Sequence, residues 1–448
     1  MRLLAAILAL ASCRPAPAQA APPQNDEPIT VSTEHPRLLL RPQRLRLLRR
    51  ERERASARWQ QFAALVEGKA PFEERGFALA LYYQVAGDEA AGREAVQFAL
   101  GPSVDLRQQA LVYDWCRNLF DETRRTALAA KLERAIAVAP KDETVETARS
   151  RALAAIALFD EVEQTPQREL ERLVRQWWTG RIIPALKAGR PAISRDDAYP
   201  LFEFLHAMRD NTILDLREQA PQFFKEYPIE HLMSYYPAVY EESEAAYYIG
   251  ASSRGRPDPR SAALSRAGEL AMVAYDTNAA PSQVLQGWLM HDKFILRSTF
   301  GAPYEFLWAN PYLPGLSYYH VPLVYHNPDF GRLFIRSSWE DDASWFGAFN
   351  GRMQFFADGR LQTPPPGPLD LTQAVVCFGQ SASRFTVKLG EDAESVFIVG
   401  LKPRQTYEVE IDDEEMFEAE ADPGGIVELE PPRGKPVGIR LKPAGTHP

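Results

Sequence analysis

The sequence predicts an α+β multidomain protein in which an N-terminal (α/α) toroid of antiparallel helix pairs is followed by an antiparallel β-sandwich. With 448 residues the chain is too long for a single hydrophobic core. From Pro42 to about Arg297, apolar residues recur with the helix period in segments joined by short turns, which favours antiparallel helix pairs. Beyond Phe300 the apolar residues alternate with period two, as in strands.

The N-terminus has the pattern of an export signal. A short charged start precedes the apolar run Leu3–Ala11, so we interpret residues 1–20 as a signal peptide. Two processing sites compete. Ala20 ends a small-residue cleavage site, whereas the residues that end at Cys13 resemble a bacterial lipobox, and we favour lipidation at Cys13. Residues 21–34 are expected to be a tether. The sequence therefore predicts an exported protein, periplasmic or at the outer surface, whose only membrane contact is a lipid anchor at Cys13.

Local signals mark the ends of the predicted helices. Pro42 suits a first helical position, and Gly87 suits the end of the helix that closes before it. Asp105 and Asp121 are expected N-caps, and Thr165 precedes a proline at another helix start. No strict repeat period is present, which makes the ordinary solenoids less favoured.

The C-terminal part is predicted to be a sandwich because eight short strands fall within little more than a hundred residues. The predicted strands are Leu333–Arg336, Trp345–Phe349, Met353–Phe356, Val375–Phe378, Phe385–Leu389, Val396–Val399, Tyr407–Ile411 and Ile426–Leu429. The predicted parts of the chain are a signal peptide (1–20), a tether (21–34), a toroid (35–300), an aromatic and Pro-rich linker (301–331) and a sandwich (332–448).

Composition excludes several classes of protein. Residues 391–430 hold fourteen acidic and two basic residues, whereas the whole chain has a net charge of −9. An acidic module argues against nucleic acid as a partner, and the nearly neutral remainder leaves an acidic sugar chain as a possible ligand. The distant Cys116 and Cys377 are expected to be free buried thiols. No HxxxH, HExxH or CxxC spacing occurs, so we expect no metal and no cofactor.

Candidate site residues are concentrated in one segment. Residues 199–326 contain thirteen of the seventeen tyrosines and five of the seven histidines. Taken singly, most of these tyrosines are expected to pack at interfaces, and His206 is as compatible with a buried structural role as with catalysis. The acidic cluster at 241–244 is typical of a solvated surface. The concentration, rather than any one residue, indicates a site.

Six short motifs resemble one family of enzymes. They are His35-Pro36-Arg37-Leu38, Arg44-Leu45-Arg46-Leu47-Leu48, Ala78 to Asp88, Leu111-Val112-Tyr113-Asp114-Trp115, Phe334 to Trp339 and Asp342-Ala343-Ser344-Trp345. In this order, over most of residues 33–360, they resemble the heparinase II/III-like and alginate lyase polysaccharide lyases. The resemblance implies an (α/α) toroid with an antiparallel β-sandwich, and cleavage of uronic-acid polymers by β-elimination.

The resemblance also implies roles for particular residues. Removing the C5 proton of a uronate places negative charge on its carboxylate, which Asn211 with Arg209 would neutralise. His231 would act as the base, and Tyr240 would act as the acid or as base and acid in turn. The expected substrate-binding residues are His206, Tyr236, Tyr319, His320 and His326. The predicted partner is an acidic polysaccharide or oligosaccharide.

The sequence departs from the family in one respect. Heparinase-like lyases use a further histidine from the β domain, whereas residues 331–446 contain none, and His320 or His326 would have to replace it. One alternative is a non-catalytic, glycan-binding surface lipoprotein. Another is an inverting glycoside hydrolase that uses Asp210 with Glu241 or Glu242. A purely structural helical array is the last.

Overall fold

The computed structural model describes residues 28–102, 105–238, 248–251 and 259–445. Within these residues the helices, in chain order, are α1 (Pro42–Glu53), α2 (Ala57–Glu67), α3 (Arg75–Ala86), α4 (Glu89–Leu100), α5 (Leu106–Trp115), α6 (Glu122–Ile136), α7 (Val145–Leu158), α8 (Thr165–Arg172), α9 (Ile183–Lys187), α10 (Ala198–Thr212), α11 (Pro221–Met233), α12 (Pro259–Tyr275), α13 (Ala280–Leu289) and α14 (Gly301–Trp308). A π-helix over Leu173–Ile182 joins α8 to α9.

The described strands all follow the last helix. They are β1 (Val324–Asn327), β2 (Arg332–Arg336), β3 (Trp345–Phe349), β4 (Arg352–Ala357), β5 (Arg360–Gln362), β6 (Leu369–Asp370), β7 (Ala374–Phe378), β8 (Arg384–Lys388), β9 (Ser395–Val399), β10 (Thr406–Ile411), β11 (Glu415–Glu420), β12 (Val427–Leu429) and β13 (Pro436–Pro443). The predicted order, helices and then strands, is confirmed.

The predicted capping residues hold the helix ends. The side chains of Asp105 and Asp121 accept backbone N–H groups at the starts of α5 and α6. Each cap satisfies a donor that has no partner inside the helix. Gly87 ends α3 in the left-handed conformation, at φ 78°, which glycine adopts without steric cost. The local sequence therefore specifies where these helices begin and end.

The helical part forms a closed ring. Six helices contact one another in sequence, and α14 returns to contact α3: these inner helices are α3, α5, α7, α10, α12 and α14. The intervening helices lie outside them and run back antiparallel, as α11 and α13 do against α12. The predicted (α/α) toroid is confirmed.

A buried ion network links three inner helices. Glu203 on α10 has no solvent exposure and accepts two hydrogen bonds, of 2.7 and 2.8 Å, from the Arg107 guanidinium on α5. Arg149 on α7 donates a third, of 2.6 Å. Burial opposes ionisation, but the two guanidinium groups outweigh it and lower the pKa of Glu203 to about 2. The carboxylate is therefore charged and fixes the three helices relative to one another.

The strands form three stacked sheets instead of the two of a simple sandwich. The first sheet has the order β1-β2-β3-β4-β5, the middle sheet β12-β9-β7-β6 and the outer sheet β11-β10-β13-β8. Nine of the ten strand pairings among the described residues are antiparallel, as predicted, and the pairing of β7 with β9 is parallel. A parallel pair requires a crossover between its strands, and here the crossover includes β8, which belongs to the outer sheet.

The middle sheet is buried on both faces. Val375 and Cys377 pack towards the outer sheet, whereas the alternate residue Val376 packs towards the first sheet. The first sheet alternates likewise, because Ile335 faces the middle sheet and Trp345 faces the helical ring. The free, buried state predicted for Cys116 and Cys377 is confirmed.

Two segments differ from the sequence predictions. The segment 301–331, expected to be a linker, contains α14, which closes the ring, and β1, which pairs with β2. Helix α13 ends at Leu289, and the predicted continuation to Arg297 is interrupted because Lys293 and Phe294 have left-handed backbone angles. No helix among the described residues is long and apolar enough to cross a membrane.

Replacing Glu203 with glutamine is expected to lower the free energy of unfolding by about 3–5 kcal/mol, because two buried guanidinium groups lose their counter-charge. Urea unfolding measures the change. The matched control is Glu94→Gln, which removes a half-exposed ion pair with Arg75 and should cost less than about 1 kcal/mol. Equal costs for the two variants would contradict the structural role assigned to Glu203.

Candidate functional site

One end of the ring, which we call the mouth, is covered in part by the first sheet. Helix α10 begins there, and the outer helices α11 and α13 end there. The Trp345 indole N–H donates a 2.8 Å hydrogen bond to the backbone oxygen of Met233 at the end of α11. The Tyr236 hydroxyl donates to Gln354 Oε1 at 2.9 Å. Loops from the ring and from the sheet therefore meet at the mouth.

Aromatic rings from separate segments converge at the mouth and form a cluster that we call the aromatic shelf. Its members are Tyr235, Tyr248, Trp288, His291, Tyr318, Tyr319 and Trp339. The ring of Trp288 lies at its centre, with centroids 5.0 Å from Tyr248 and 5.1 Å from Tyr318. Tyr318 also contacts Trp339, at 5.4 Å. These spacings are those of favourable aromatic pairs.

The solvent-facing side of the shelf combines aromatic and polar groups. Tyr319 stacks on Tyr318 at 4.6 Å and remains 53% exposed. Tyr248 is half-buried, and its hydroxyl donates to Asp341 Oδ1 at 3.1 Å. His291 is exposed, with its ring centroid 6.1 Å from that of Tyr248. The shelf thus presents ring faces together with groups that can transfer protons.

A buried cation lies under the shelf. Arg336 has no solvent exposure, and its guanidinium lies 4.6 Å from the centroid of Trp339. It donates from Nη1 to the backbone oxygen of Tyr235 at 3.0 Å, whereas Nη2 has no hydrogen-bond partner among the described residues. Burial lowers the pKa of Arg336 to about 10, so the group is still charged at neutral pH. A buried cation with an unused donor favours an anionic ligand nearby.

His231, the predicted base, lies below the mouth in an ion network. Its Nδ1 is 3.2 Å from Glu269 Oε1, and Glu269 also accepts hydrogen bonds from Arg195 and from the Tyr235 hydroxyl. Burial, with the charge of Arg195, lowers the pKa of His231 to about 4. The imidazole is therefore neutral, and its Nε2 has no hydrogen-bond partner among the described residues. Its exposure is 1%, so a ligand at the mouth does not reach it directly.

The structure does not bring Asn211 and Arg209 to His231. Both lie at the C-terminal end of α10, whereas the Arg195 that contacts His231 precedes the N-terminus of that helix. No hydrogen-bond partner of Arg209 or Asn211 among the described residues is also a partner of His231.

Each of the predicted site residues on α10 already has structural partners. The Asn211 side-chain amide donates to the backbone oxygens of Arg37 and Ala207. Arg209 donates to the backbone oxygen of Tyr275 at 2.7 Å. His206 is fully buried, with Nε2 2.9 Å from the oxygen of Ala271, and burial lowers its pKa to about 4. These contacts match the structural alternative weighed for His206.

The remaining predicted residues lie in different places. Tyr319 belongs to the shelf, and His320 is the exposed residue beside it. Tyr236 is buried below the mouth, where it stacks on Phe356 of the first sheet at 5.1 Å. Tyr240, the predicted acid, lies outside the described residues, as do Glu241 and Glu242. Of the nine predicted residues, the structure thus places one in the shelf and one directly next to it.

His326 joins the first sheet to the middle sheet. Its two ring nitrogens lie 3.1 Å from Asp422 Oδ2 and 2.9 Å from Glu428 Oε2. Burial alone would disfavour the charge, but the two carboxylates outweigh it and raise the pKa of His326 to about 9. The imidazolium lines a cavity of about 400 Å³ between α11 and β1, with Lys225 and Tyr325. None of the residues that line this cavity belongs to the shelf.

Sequence reasoning missed much of the shelf. Trp288 was interpreted only as part of a helix, and His291, although it lies in the Tyr- and His-rich segment 199–326, was given no role. Arg336 and Trp339 were used only for a predicted strand and for the family likeness. One signal in the sequence could have identified Arg336. A charged residue at the end of the apolar strand Leu333–Arg336 is buried together with that strand if the sheet lies inside the protein, and buried charges are rare. No group of three or more His, Cys, Asp or Glu side chains suited to a metal occurs among the described residues.

No protein-family model matches the sequence, and no curated protein matches it. A solved structure titled "Glycoside hydrolase" is similar over 89% of this chain and 75% of its own chain, with 9% sequence identity and a TM-score of 0.33. At that identity and TM-score, the similarity assigns neither a family nor an activity to this chain.

Replacing His326 with glutamine is expected to remove a pH-dependent part of the stability. The folded-state pKa of about 9 lies above the ordinary 6.5, so the stabilisation is complete below about pH 6.5 and is lost as the pH rises through 9. Its size should be about 1–3 kcal/mol, given one half-exposed partner. The measurement is the free energy of unfolding in urea at about pH 6 and at about pH 9.5. Wild type and the control His320→Gln should lose this stabilisation between the two pH values, whereas His326→Gln should lose much less.

Proposed function

We propose that this protein binds an acidic polysaccharide at the aromatic shelf and cleaves it by β-elimination at a uronate. The observation that carries the proposal is the buried Arg336, which has no ion pair among the described residues. Its guanidinium lies against the buried ring of Trp339, which contacts Tyr318 of the shelf. The N-terminal segment predicted to be an export signal fits such a substrate, because polysaccharides of this kind lie outside the cytoplasm.

The shelf suits sugar rings. A pyranose has an apolar face and polar edges, which match an aromatic face surrounded by hydrogen-bonding groups. Tyr319 provides the exposed face, and its stack on the buried Tyr318 holds it in one orientation. Tyr248 and His291 provide polar groups at the edge. The surface is thus formed before a ligand binds, which lowers the entropic cost of binding.

Arg336 gives the surface a preference for anions. The structure gives its guanidinium no ion pair among the described residues, and the nearest ionisable groups that act on it are Tyr318, Asp341 and Tyr248. A uronate carboxylate bound beside Tyr248 would be attracted by this positive charge. The attraction would be strong because buried protein, and not bulk solvent, lies between the two charges. The same charge would stabilise the carboxylate as electron density moves onto it during proton removal.

The reaction requires one proton acceptor and one proton donor. The acceptor takes the C5 proton, the bond from C4 to the glycosidic oxygen breaks, a C4–C5 double bond forms, and the departing oxygen takes a proton. Among the described residues of the shelf, Tyr248, His291 and the exposed Tyr319 carry groups that can exchange protons with a ligand. We assign proton transfer to Tyr248, whose hydroxyl is oriented by Asp341, with His291 as its partner. The role of Tyr240 stays a prediction from the sequence.

The second candidate function is glycan binding without turnover. It is favoured by the burial of His231, because the predicted base does not reach a ligand at the mouth. The inverting hydrolase has less support, since Asp210 lies at the far end of α10, 3.0 Å from the Arg209 guanidinium. A hydrolase forms no double bond, so its product separates it from a lyase.

Replacing Tyr248 with phenylalanine is expected to lower turnover about 100-fold or more while binding is largely kept, because only the hydroxyl is lost. The measurement is the ultraviolet absorbance of unsaturated uronate, with heparan sulfate, hyaluronan, chondroitin, alginate and pectate as substrates. Tyr407→Phe, in the outer sheet, is the matched control and should keep full activity. Absence of the signal from wild type on all five glycans, with binding retained, would leave the non-catalytic candidate.

Replacing Tyr319 with alanine is expected to weaken glycan binding about tenfold, because an exposed stacking face worth about 1.4 kcal/mol is lost. Isothermal titration calorimetry with the glycan that wild type binds measures the change. Phe417→Ala removes another exposed ring, on β11, and should leave the affinity unchanged. An unchanged affinity for Tyr319→Ala would place the sugar elsewhere than on the shelf.

A further inference from the structure

A loop from the end of α14 to the shelf lies along one face of α13. The Gln286 side chain donates to the backbone oxygen of Asn310 at 3.0 Å, and the Leu316 N–H donates to the oxygen of Gln283 at 2.8 Å. Gln283, Gln286, Gly287 and Met290 lie on one face of the helix, because they are spaced three and four residues apart. The loop is therefore attached to the helix at two points.

The attachment depends on close backbone contact. A side chain at Gly287 would place its Cβ only 1.9 Å from the backbone oxygen of Leu316. A Cβ at Gly315 would lie 2.9 Å from the Gly287 backbone and from the Met290 sulfur. The two glycines thus allow the loop to lie directly on the helix, with its larger side chains directed away from it. The loop is a fixed part of the surface.

Large apolar side chains along this loop and helix remain in solvent. Tyr312 is 58% exposed, Leu316 45%, Tyr319 53% and Met290 41%. We call these four residues the ridge. They include four of the nine exposed large apolar side chains found among the described residues. Singly exposed apolar residues are ordinary, whereas several of them along one loop and the adjoining helix favour a binding surface.

The ridge is continuous with the shelf and carries positive charge at its other end. Tyr319 belongs to both, and Tyr312 is seven residues before it in the chain, at most about 25 Å away. The exposed Arg54 guanidinium lies 5.9 Å from the centroid of the Tyr312 ring. The shelf also pairs an aromatic ring with a cation, but there Trp339 and Arg336 are both buried, whereas Tyr312 and Arg54 are both exposed.

We propose that the ridge is a distal glycan-binding subsite, at which Tyr312 stacks on a sugar several units from the one bound at the shelf. This inference rests on the proposed function and extends it, because it makes the ligand a polymer chain. Arg54 then pairs with a carboxylate or sulfate of the distal sugar. Short oligosaccharides occupy the shelf alone, whereas long chains gain from both surfaces.

The test compares chain lengths. Size-fractionated oligosaccharides, a disaccharide and a decasaccharide, are prepared from whichever glycan of the five binds wild type, and their affinities are measured by calorimetry. For Tyr312→Ala we expect about a tenfold loss of affinity for the decasaccharide and no change for the disaccharide. Tyr312→Phe, which keeps the ring, should bind like wild type. Phe417→Ala should affect neither length.

The outcomes separate the two proposals. If Tyr312→Ala binds both lengths like wild type, or if wild type binds the decasaccharide no more tightly than the disaccharide, the ridge assignment is wrong and the shelf proposal stands. If Tyr312→Ala weakens both lengths equally, Tyr312 belongs to the shelf site and the distal subsite is wrong. If wild type binds none of the five glycans, both proposals fail.

Discussion

The relative placement of three inner helices of the ring depends on the charged Glu203. A carboxylate with no access to water is stable only if its charge is compensated, and here Arg107 and Arg149 compensate it from two other helices. The geometry of these hydrogen bonds leaves little freedom in how α5, α7 and α10 lie against one another. The network thus adds specificity to a ring whose apolar contacts alone are less directional.

Closure of the ring determines which chain ends meet. Because inner and outer helices alternate in direction, the starts of the inner helices and the ends of the outer helices lie at the same end of the ring. Tyr235 follows α11 and Trp288 ends α13, so both reach the mouth although 53 positions separate them in the sequence. The first sheet then contributes Arg336 and Trp339 from above. Four segments of the chain thus form the aromatic shelf: the loop after α11, the end of α13, the loop before β1 and the loop after β2.

The first and middle sheets differ in what they pack against. The first sheet packs on the ring with one face and on the middle sheet with the other, so Arg336 is fully buried. The middle sheet is covered on both sides, which explains its continuous apolar runs such as Ala374-Val375-Val376-Cys377. The His326 ion pairs connect these two sheets at the edge. The β layers thus support the mouth without supplying a histidine to it.

The sequence by itself determined the local structure: helix ends at Asp105 and Gly87, eight strands from period-two patterns, and the order of helical and β parts, because caps, turns and periodicity act over a few residues. It did not determine which residues share a site. Asn211 and His231 are close in the chain but share no hydrogen-bond partner among the described residues, and Arg336 becomes a buried charge only when the first sheet packs on the helices. Only the tertiary structure decided these contacts, because ring closure and sheet packing join residues that no local pattern relates.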